Sequence, residues 1–181
     1  MRVIAGNARG ITLVAPHDRA TRPIADRVKE TLFAILGERV IDARVLDLYA
    51  GSGAIGIEAL SRGAAQATFV EQARNALAAL RENLRRAHVV DRATVRAGDV
   101  LGFLATASKD RYELAFVDPP YAEHAILAPL ERLVPHLMPD AVVVVKHFWR
   151  SPPPRIQGLA AWRERRFGET GLTFLERVEE S

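Results

Sequence analysis

Hydrophobic residues occur along this chain in two alternating patterns. Short, almost continuously apolar runs lie at 44–50, 67–71, 93–97, 112–117 and 141–145, and stretches with apolar residues every three to four positions follow the first four. Runs of the first kind are typical of strands in a parallel sheet, because helices cover both faces of such a sheet. The alternation therefore predicts an α/β fold, with a mostly parallel sheet and helices on both faces.

The N-terminal part of the chain comes before this alternation. Residues 1–15 read as a β-hairpin with a glycine at the end of its turn. Apolar residues at helical spacing then predict a helix that begins at Asp26 and stops at Gly37. We predict a hairpin extension over residues 1–20, followed by a single domain over residues 21–181.

The C-terminal part of the chain also departs from the alternation. Residues 160–168 ("AAWRERRFG") and 172–178 ("LTFLERV"), split by "ETG", are predicted to form an antiparallel hairpin that closes one edge of the sheet. With the five runs above, this hairpin gives a sheet of seven strands. Lys146 and His147, at the end of the fifth run, are expected to have a surface role.

The composition is that of a soluble globular protein. The 181 residues are 49% hydrophobic and 26% charged, which suits one domain with its own core. No apolar run approaches the roughly 20 residues that cross a bilayer, and the first residues lack the apolar part of a secretory signal. The chain has no cysteine, and its five histidines show no metal-ligand spacing. We expect a cytoplasmic monomer with no membrane contact and no bound metal.

The net charge of +3 is concentrated at the N-terminus. Residues 1–30 hold six basic and three acidic side chains, whereas residues 31–181 hold 19 of each kind. Two interpretations stay open. The segment is either a solvated surface rich in arginine or a surface that contacts phosphates, to which arginine binds with two parallel hydrogen bonds.

A glycine-rich loop follows the first predicted strand. Gly51, Gly53 and Gly56 have the G-x-G-x-x-G spacing, and Glu71 ends the next strand 20 residues beyond Gly51. Glycines here allow a tight turn and a close approach of a ligand to a helix N-terminus, while the carboxylate can accept both hydroxyls of a ribose. We expect an adenosine-containing cofactor, and the motif alone leaves NAD(H) and S-adenosylmethionine both open.

Further residues at the strand ends favour S-adenosylmethionine. Asp47 precedes the glycines, where its carboxylate would repel a pyrophosphate but suits the ammonium group of a methionine moiety. Asp99, after the third strand, is a candidate acceptor for an adenine amino group, and Val100 is a candidate contact for the ring. Asp99 is also a good N-cap for the helix that follows, so both interpretations of it stay open.

The tetrapeptide Asp118-Pro119-Pro120-Tyr121 follows the fourth predicted strand. The amino group of a nucleobase is a weak nucleophile, because its lone pair is delocalised into the ring. Asp118 and the carbonyl of Pro119 can accept its N–H groups and favour a pyramidal nitrogen, while the two prolines fix the backbone. Tyr121 can stack on a base that is turned out of its helix. These four residues are candidate catalytic residues for methyl transfer to a nucleobase amino group.

With these motifs the chain resembles the bacterial 16S rRNA (guanine-N2)-methyltransferases, which are class I S-adenosylmethionine-dependent enzymes. "RVIAGNARG" resembles the family's opening hairpin, and "RPIADRVKETLF" resembles its R-P-T-x-D-R-V-R-E-x-L-F segment. "VLDLYAGSGAIGIEALSRGA" resembles the glycine motif with its helix, "FVE" the ribose acid, "VDPPY" the amino-methyltransferase motif and "FGETGLTFLER" the closing hairpin. The resemblance covers most of the chain and implies a Rossmann-like class I methyltransferase fold.

The resemblance also implies a reaction, a cofactor and a partner. The reaction is methyl transfer from S-adenosylmethionine to N2 of a guanine in 16S rRNA, met either as RNA or in a small-subunit assembly particle. The expected cofactor contacts are Asp47, Tyr49, Gly51, Gly53, Glu71, Asp99 and Val100. The residues expected to hold the guanine are Asp118, Pro119, Pro120 and Tyr121, and the expected RNA contacts are Arg2, Arg9, Arg22, Arg27 and Lys29.

Two stretches depart from the family pattern. Ile24 and Ala25 replace residues that usually carry a hydroxyl, so hydrogen bonds from those hydroxyls are absent here. Tyr49 replaces a frequent phenylalanine and adds one hydroxyl to the predicted site.

Three other functions stay open at this stage. A DNA adenine-N6 methyltransferase would also use the Asp118 tetrapeptide, although 181 residues leave no room for a separate target-recognition domain. A nicotinamide-dependent oxidoreductase would explain the glycine motif and leave Asp47 and the tetrapeptide without a function. A non-catalytic RNA-binding module would keep the fold without turnover.

Overall fold

The computed structural model describes residues 1–16, 24–106, 111–120 and 126–178. Within these ranges seven strands form one sheet, in the order β3-β2-β1-β4-β5-β7-β6. The strands are β1 (Arg44–Leu48), β2 (Gln66–Glu71), β3 (Ala93–Ala97), β4 (Tyr112–Val117), β5 (Leu137–Phe148), β6 (Leu159–Phe167) and β7 (Thr170–Arg177). The α-helices are α1 (Asp26–Leu36), α2 (Ala54–Ser61), α3 (Arg74–Arg86), α4 (Val100–Ala105) and α5 (Leu127–Leu133).

Strands β1 to β5 are parallel, and β7 runs antiparallel to both β5 and β6. The predicted seven-stranded, mostly parallel sheet with a closing hairpin is therefore confirmed. From β1 the chain adds β2 and β3 on one side of the sheet, and from β4 it adds β5 on the other side. The direction of the strand order therefore reverses between β1 and β4. Ligands of such sheets bind beyond the carboxyl ends of the strands at this switch point.

Alternate residues of the strands build two separate core layers, because successive side chains of a strand point to opposite faces. On one face Val45 and Phe116 pack with α1, α2 and α3, and the ring centroids of Phe33 and Phe116 lie 5.9 Å apart. On the other face Leu46 and Val117 pack with α4 and α5. Both faces of the sheet are covered, as the continuously apolar strands predict.

Helix α1 begins at Asp26 and ends before Gly37, as its sequence pattern predicts. Its buried residues recur at helical spacing and include Val28, Leu32 and Leu36. No helix among the described residues is long and apolar enough to cross a membrane.

The N-terminal segment turns back on itself as predicted, but its described residues contain no regular strands, so the two-stranded hairpin is not confirmed. A single antiparallel bridge joins Arg2 and Thr12. Beside this bridge the N–H of Val3 donates to the carbonyl oxygen of Ile11 at 2.9 Å, and that of Leu13 to the carbonyl oxygen of Met1 at 3.0 Å. The N–H groups of Ile4 and Ala5 donate instead to the Glu58 carboxylate at 2.8 and 3.0 Å. The segment therefore bonds both to its own backbone, around the Arg2–Thr12 bridge, and to a side chain of the helix beneath it.

This segment is part of the main core. Val3, Ala8 and Leu13 are buried in the same apolar layer as α1, α2 and α3. The boundary predicted between residues 20 and 21 lies outside the described residues, and the division into an extension and a domain stays a prediction.

Candidate active site

A cleft of about 310 Å³ opens at the switch point, beyond the carboxyl ends of β1 and β4. Its volume is in the range of small-molecule sites. The loop after β1, the end of β2, the start of α4 and the residues after β4 line it, and Met1, Pro16 and Ile24 line its N-terminal side. The structure thus brings together the strand ends that the sequence predicts as the site.

The glycine loop turns sharply between β1 and α2. Tyr49, Gly51 and Gly53 have φ angles of 60°, 58° and 81°, a region that glycine adopts most readily. A side chain at Gly51 would meet nothing within 4 Å, and Gly51 lines the cleft. A side chain at Gly53 would instead overlap Leu80 of α3. Gly53 therefore packs against the core and is not part of the cleft lining, and its predicted cofactor contact stays a prediction.

Asp47, on β1, is a buried carboxylate at the floor of the cleft and is 3% exposed. Its Oδ2 accepts the N–H of Gly56 at 3.0 Å. Burial raises the pKa of Asp47 well above its ordinary value; the Gly56 hydrogen bond opposes this rise, and the negative charges of Asp118 and Glu71 add to it. Three carboxylates therefore face one cleft, which favours a positively charged ligand.

Glu71, at the end of β2, already accepts three backbone hydrogen bonds. Its Oε2 accepts the N–H of Gly51 at 2.8 Å, and its Oε1 accepts those of Gln72 and Ala73 at 2.9 and 2.8 Å. A carboxylate has about four acceptor positions, so about one is left for a ligand. Accepting both hydroxyls of a ribose would therefore require one of these backbone bonds to be given up.

The loop that starts α4 separates the two interpretations of Asp99. Its Oδ2 accepts the N–H of Gly102 at 2.8 Å, so the side chain is the N-cap of α4. Val100 is buried and lines the cleft together with Gly98, whereas Asp99 is exposed and is not part of the lining. Capping is thus shown for Asp99, and an adenine contact stays a prediction. Half-buried Tyr49 also lines the cleft.

Asp118 follows β4 and lines the same cleft as the glycine loop. Lys146 Nζ, from the end of β5, donates to Asp118 Oδ2 at 2.7 Å, and the two side chains are 16% and 32% exposed respectively. Burial raises the pKa of the Asp118 carboxyl, and the Lys146 ammonium opposes this rise through its charge and its hydrogen bond. Lys146 therefore favours the ionised form of Asp118.

Pro119 and Pro120 also line the cleft. They follow Asp118 directly, and we call Asp118 with these two prolines the Asp118-Pro119 corner. This corner lines the same cavity as Gly51 and Asp47. Tyr121 lies outside the described residues, and its predicted stacking on a base stays a prediction.

Lys29 does not lie on the surface, which corrects its predicted RNA contact. Its side chain is 0% exposed, and its Nζ lies 3.1 Å from Glu58 Oε2, which is also 0% exposed. Lys29 Nζ also donates to the carbonyl oxygen of Arg2, and Arg62 Nε donates to Glu58 Oε1 at 2.8 Å. The lysine joins α1, α2 and the N-terminal segment, and it has no path to a phosphate.

The other predicted RNA contacts differ in what the structure shows of them. Arg2, Arg9 and Arg27 are exposed, and Arg2 Nε also donates to Asp26 Oδ2 at 3.1 Å. Arg22 lies outside the described residues. A phosphate contact of these four arginines stays a prediction.

Sequence reasoning missed the position of two residues at the end of β5. Lys146 lines the cleft, and His147 is 8% exposed, with its ring nitrogens bonded to Thr173 Oγ1 and the carbonyl oxygen of Phe148, both at 2.8 Å. The expected surface role is wrong for both. Because β5 neighbours β4 in parallel, a basic residue at its carboxyl end could have been expected beside Asp118.

The burial of Asp47 leads to a prediction with two opposite effects. Asp47→Asn removes a buried charge and keeps an acceptor for Gly56, so it should raise Tm at neutral pH by about 2 to 4 °C, the shift that 1 kcal/mol gives in a chain of this size. The gain should shrink as the pH falls and vanish below about pH 3, because the aspartate is then protonated in folded and unfolded chains alike. Calorimetric melting at both pH values measures it.

The same substitution should weaken the binding of a positively charged cofactor. A hydrogen bond to a charged group contributes about 1.5–3 kcal/mol, so the dissociation constant for S-adenosylmethionine should rise at least about tenfold. Titration calorimetry measures this. An Asp47→Asn variant that melts lower and binds the cofactor unchanged would show that the carboxylate serves the fold instead.

Comparison with known sequences gives a match over nearly the whole chain. A family model described as "Conserved hypothetical protein 95" matches residues 1–176. A Bacillus subtilis (strain 168) protein named "Putative rRNA methyltransferase YlbH" is 35% identical over 182 residues, which cover 98% of this chain and 99% of that protein. The Escherichia coli (strain K12) "Ribosomal RNA small subunit methyltransferase D" is 41% identical over 128 residues, which cover 67% of this chain and 60% of that protein.

Comparison with solved structures agrees with these matches. A structure described as "Putative methyltransferase yhhF from Escherichia coli" superimposes with a TM-score of 0.86 at 34% identity, and the match covers 98% of this chain and 97% of that one. The Rossmann-like methyltransferase fold that the sequence motifs imply is therefore confirmed.

Proposed function

This chain belongs to the family described as "Conserved hypothetical protein 95", and we propose that it transfers a methyl group from S-adenosylmethionine to the exocyclic N2 of a guanine in 16S rRNA. The relatives that it matches are named as methyltransferases of ribosomal RNA. The observation that carries the proposal is the common cleft of the glycine loop and the Asp118-Pro119 corner. The proposed partner is 16S rRNA, free or in a small-subunit assembly particle, and the proposed location is the cytoplasm.

The residues of the cleft fit the proposed cofactor. The buried Asp47 carboxylate suits the ammonium of the methionine moiety, and the three carboxylates together suit a sulfonium. Gly51 leaves room at the start of α2, Val100 offers an apolar contact for the adenine, and Glu71 has about one acceptor position left for the ribose. When bound, S-adenosylmethionine supplies an electrophilic methyl group.

The Asp118-Pro119 corner then prepares the nucleophile. The Asp118 carboxylate and the carbonyl oxygen of Pro119 accept the two N–H groups of the guanine amine, which concentrates its lone pair on nitrogen. Methyl transfer would break the bond between the methyl carbon and the sulfonium sulfur, which leaves as a neutral thioether, and would release one proton from the guanine amine. The raised pKa of Asp118 makes its carboxylate a better acceptor for this proton than an ordinary aspartate. The contribution of the chain is alignment and electrostatics.

The Asp118–Lys146 ion pair gives this chemistry a pH dependence. Lys146→Met removes the charge that opposes the burial of Asp118, so the pKa of Asp118 should rise further. In this variant Asp118 stays protonated up to a higher pH. A protonated Asp118 cannot accept the N–H of the guanine amine as the carboxylate does. We expect the acidic limb of the kcat–pH profile to move to higher pH by about one unit, the effect of a 1.4 kcal/mol interaction.

Lys146→Arg is the matched control because it keeps the positive charge. The acidic limb of its profile should stay within a few tenths of a unit of that of the unsubstituted chain. An unchanged limb in Lys146→Met would separate Lys146 from the ionisation of Asp118.

A deletion strain of the source organism tests the proposed function. Loss of the gene should remove one N2-methylguanosine from 16S rRNA, and expression of the chain from a plasmid should restore it, as measured by mass spectrometry of the digested RNA. Methylation of naked 16S rRNA and of small-subunit particles by the purified chain then identifies which is the substrate. An unchanged modification profile in the deletion strain would contradict the proposal.

A further inference from the structure

The C-terminal hairpin carries a second basic surface that the average charge conceals. Residues 149–169 hold five arginines and two glutamates, a net charge of +3, while the rest of the chain beyond residue 30 is net acidic. Strand β6 is an edge strand, and its residues from Ala160 to Arg166 are all exposed. The arginines are Arg150, Arg155, Arg163, Arg165 and Arg166.

The carboxyl end of β6 lies at the same end of the sheet as the cleft. Because β7 is antiparallel to both β5 and β6, strands β5 and β6 run in the same direction. Their carboxyl ends therefore lie at the same end of the sheet. Lys146 of β5 and Arg165 of β6 both pair with Leu172 of β7. Residues in one such row share a face, and two strand spacings place their backbones about 10 Å apart. Lys146 lines the cleft, so Arg165 lies about 10 Å to its side.

Aromatic rings lie among these arginines. The Arg166 guanidinium lies 5.2 Å from the ring centroid of Trp149, which directly follows β5, and that of Arg163 lies 5.6 Å from the ring of Trp162. Trp162 is a large apolar side chain that is 39% exposed. Basic groups that alternate with aromatic rings are the pattern of surfaces that bind single-stranded nucleic acid.

The hydrogen bonds of Arg165 and Arg166 within the protein leave most of their donors for a ligand. Arg165 donates to the carbonyl oxygen of Glu164, and Arg166 to that of Gly168, each at 2.8 Å and each to a residue within two positions in sequence. Each of these bonds uses one of the five N–H donors of a guanidinium. Their acceptors are exposed and close in sequence, so these contacts hold no distant element of the fold.

We propose that the carboxyl edge of β6 is a phosphate-binding surface for the RNA that flanks the target base. The inference rests on the proposed function and adds the direction in which the RNA leaves the cleft. From the methylated guanine the strand passes Lys146 and runs toward the end of β6. There Arg165, on the face of Lys146, and Arg166, on the opposite face, flank the edge strand and contact the phosphates together with Arg150. Helix α1 covers the face of the sheet that Lys146 and Arg165 share, and Arg27 is exposed near the start of this helix.

Charge on an edge strand also has a purely protective function, since it prevents pairing with strands of other chains. That function needs no phosphate and predicts no change in RNA affinity when the arginines become neutral. The two functions are therefore separable by measuring RNA binding as a function of salt.

The test compares two pairs of neutral substitutions. Arg165→Gln with Arg166→Gln alters the proposed surface. Arg111→Gln with Arg132→Gln, at two exposed arginines near the amino end of β4 and the last turn of α5, is the matched control on the far edge of the sheet. For each, the dissociation constant is measured at several salt concentrations on naked 16S rRNA or small-subunit particles, whichever the unsubstituted chain methylates. Titration with S-adenosylmethionine and thermal melting confirm an intact cleft and fold.

We expect the β6 pair to flatten the slope of log K against log salt by about 1.4, because each phosphate contact to single-stranded nucleic acid contributes about 0.7. Affinity at physiological salt should fall about tenfold. The control pair should leave both unchanged.

If the β6 pair behaves like the control while the unsubstituted chain methylates its substrate, this surface is wrong and the proposed function stands. If the unsubstituted chain methylates neither RNA nor particle, the proposed function is wrong, and this inference falls with it.

Discussion

Asp118→Ala should lower kcat by about 10³-fold while S-adenosylmethionine still binds. Loss of a preorganised group that acts at the reacting centre costs about 10² to 10³-fold, and Asp118 has two expected tasks, since it accepts an N–H of the guanine amine and takes its proton. Asp47, Gly51 and Glu71 remain in place, so the cofactor affinity should change no more than about threefold, or about 0.6 kcal/mol. Single-turnover rates and titration calorimetry measure the two quantities separately.

Two further variants sharpen this expectation. Asp118→Asn keeps one acceptor oxygen and the shape of the side chain but loses the charge, so its rate should lie between those of Asp118→Ala and the unsubstituted chain. Asp91→Ala removes an exposed aspartate in the turn before β3 and should leave the rate unchanged. A fully active Asp118→Ala variant would favour the non-catalytic RNA-binding module over an enzyme.

Lys29→Met should destabilise the chain strongly without touching the cleft. The substitution keeps the volume of the side chain but leaves Glu58, which is 0% exposed, with Arg62 as its only cationic partner among the described residues. Removing one partner of a buried pair costs about 3–5 kcal/mol, and the remaining arginine places the expected loss at the lower end, about 3 kcal/mol. At 2–4 °C for each kcal/mol, Tm should fall by about 10 °C.

The neighbouring Arg27 is the matched control. Arg27→Met removes one positive charge from the exposed side of α1 and should change stability by about 0.5 kcal/mol or less. Lys29→Met paired with Glu58→Gln should recover part of the loss, because no uncompensated charge is then buried. If Lys29→Met melts like the unsubstituted chain and only weakens RNA binding, the lysine faces the RNA after all.

Most of the fold follows from local sequence patterns. Continuously apolar runs and helical spacing predict the parallel strands and the helices between them, because burial on both faces leaves a direct record in side-chain type. The opening segment reverses and bonds across its turn, as its local pattern predicts, but it also bonds to a partner far away in sequence. The backbone of residues 4 and 5 bonds to Glu58, more than 50 positions on, and nothing in the local pattern of residues 1–15 reveals that partner.

The candidate site shows the same division. The acid before the glycines, the glycine loop and the Asp118 corner are found by spacing, since strand ends meet at one edge of a parallel sheet. Within the loop, spacing cannot separate Gly51, which borders the cleft, from Gly53, whose missing side chain makes room for Leu80. That difference depends on which way each backbone position faces.

The two lysines are the clearest cases of roles that charge alone hides. Lys29 lies in a basic stretch of the sequence and is buried against a glutamate. Lys146, which the sequence predicts on the surface, lies in the cleft beside Asp118. Each role is set by an acidic partner 28 or 29 positions away. Pairing of this kind follows from the packing of α1 on α2 and of β4 on β5.

Methyl transfer by the purified chain, followed by identification of the modified nucleoside, tests the central claim most directly. With isotopically labelled S-adenosylmethionine and small-subunit RNA or particles from a deletion strain, we expect all of the label in N2-methylguanosine. Label in N6-methyladenosine, or no transfer together with preferential binding of NADH, would contradict this account.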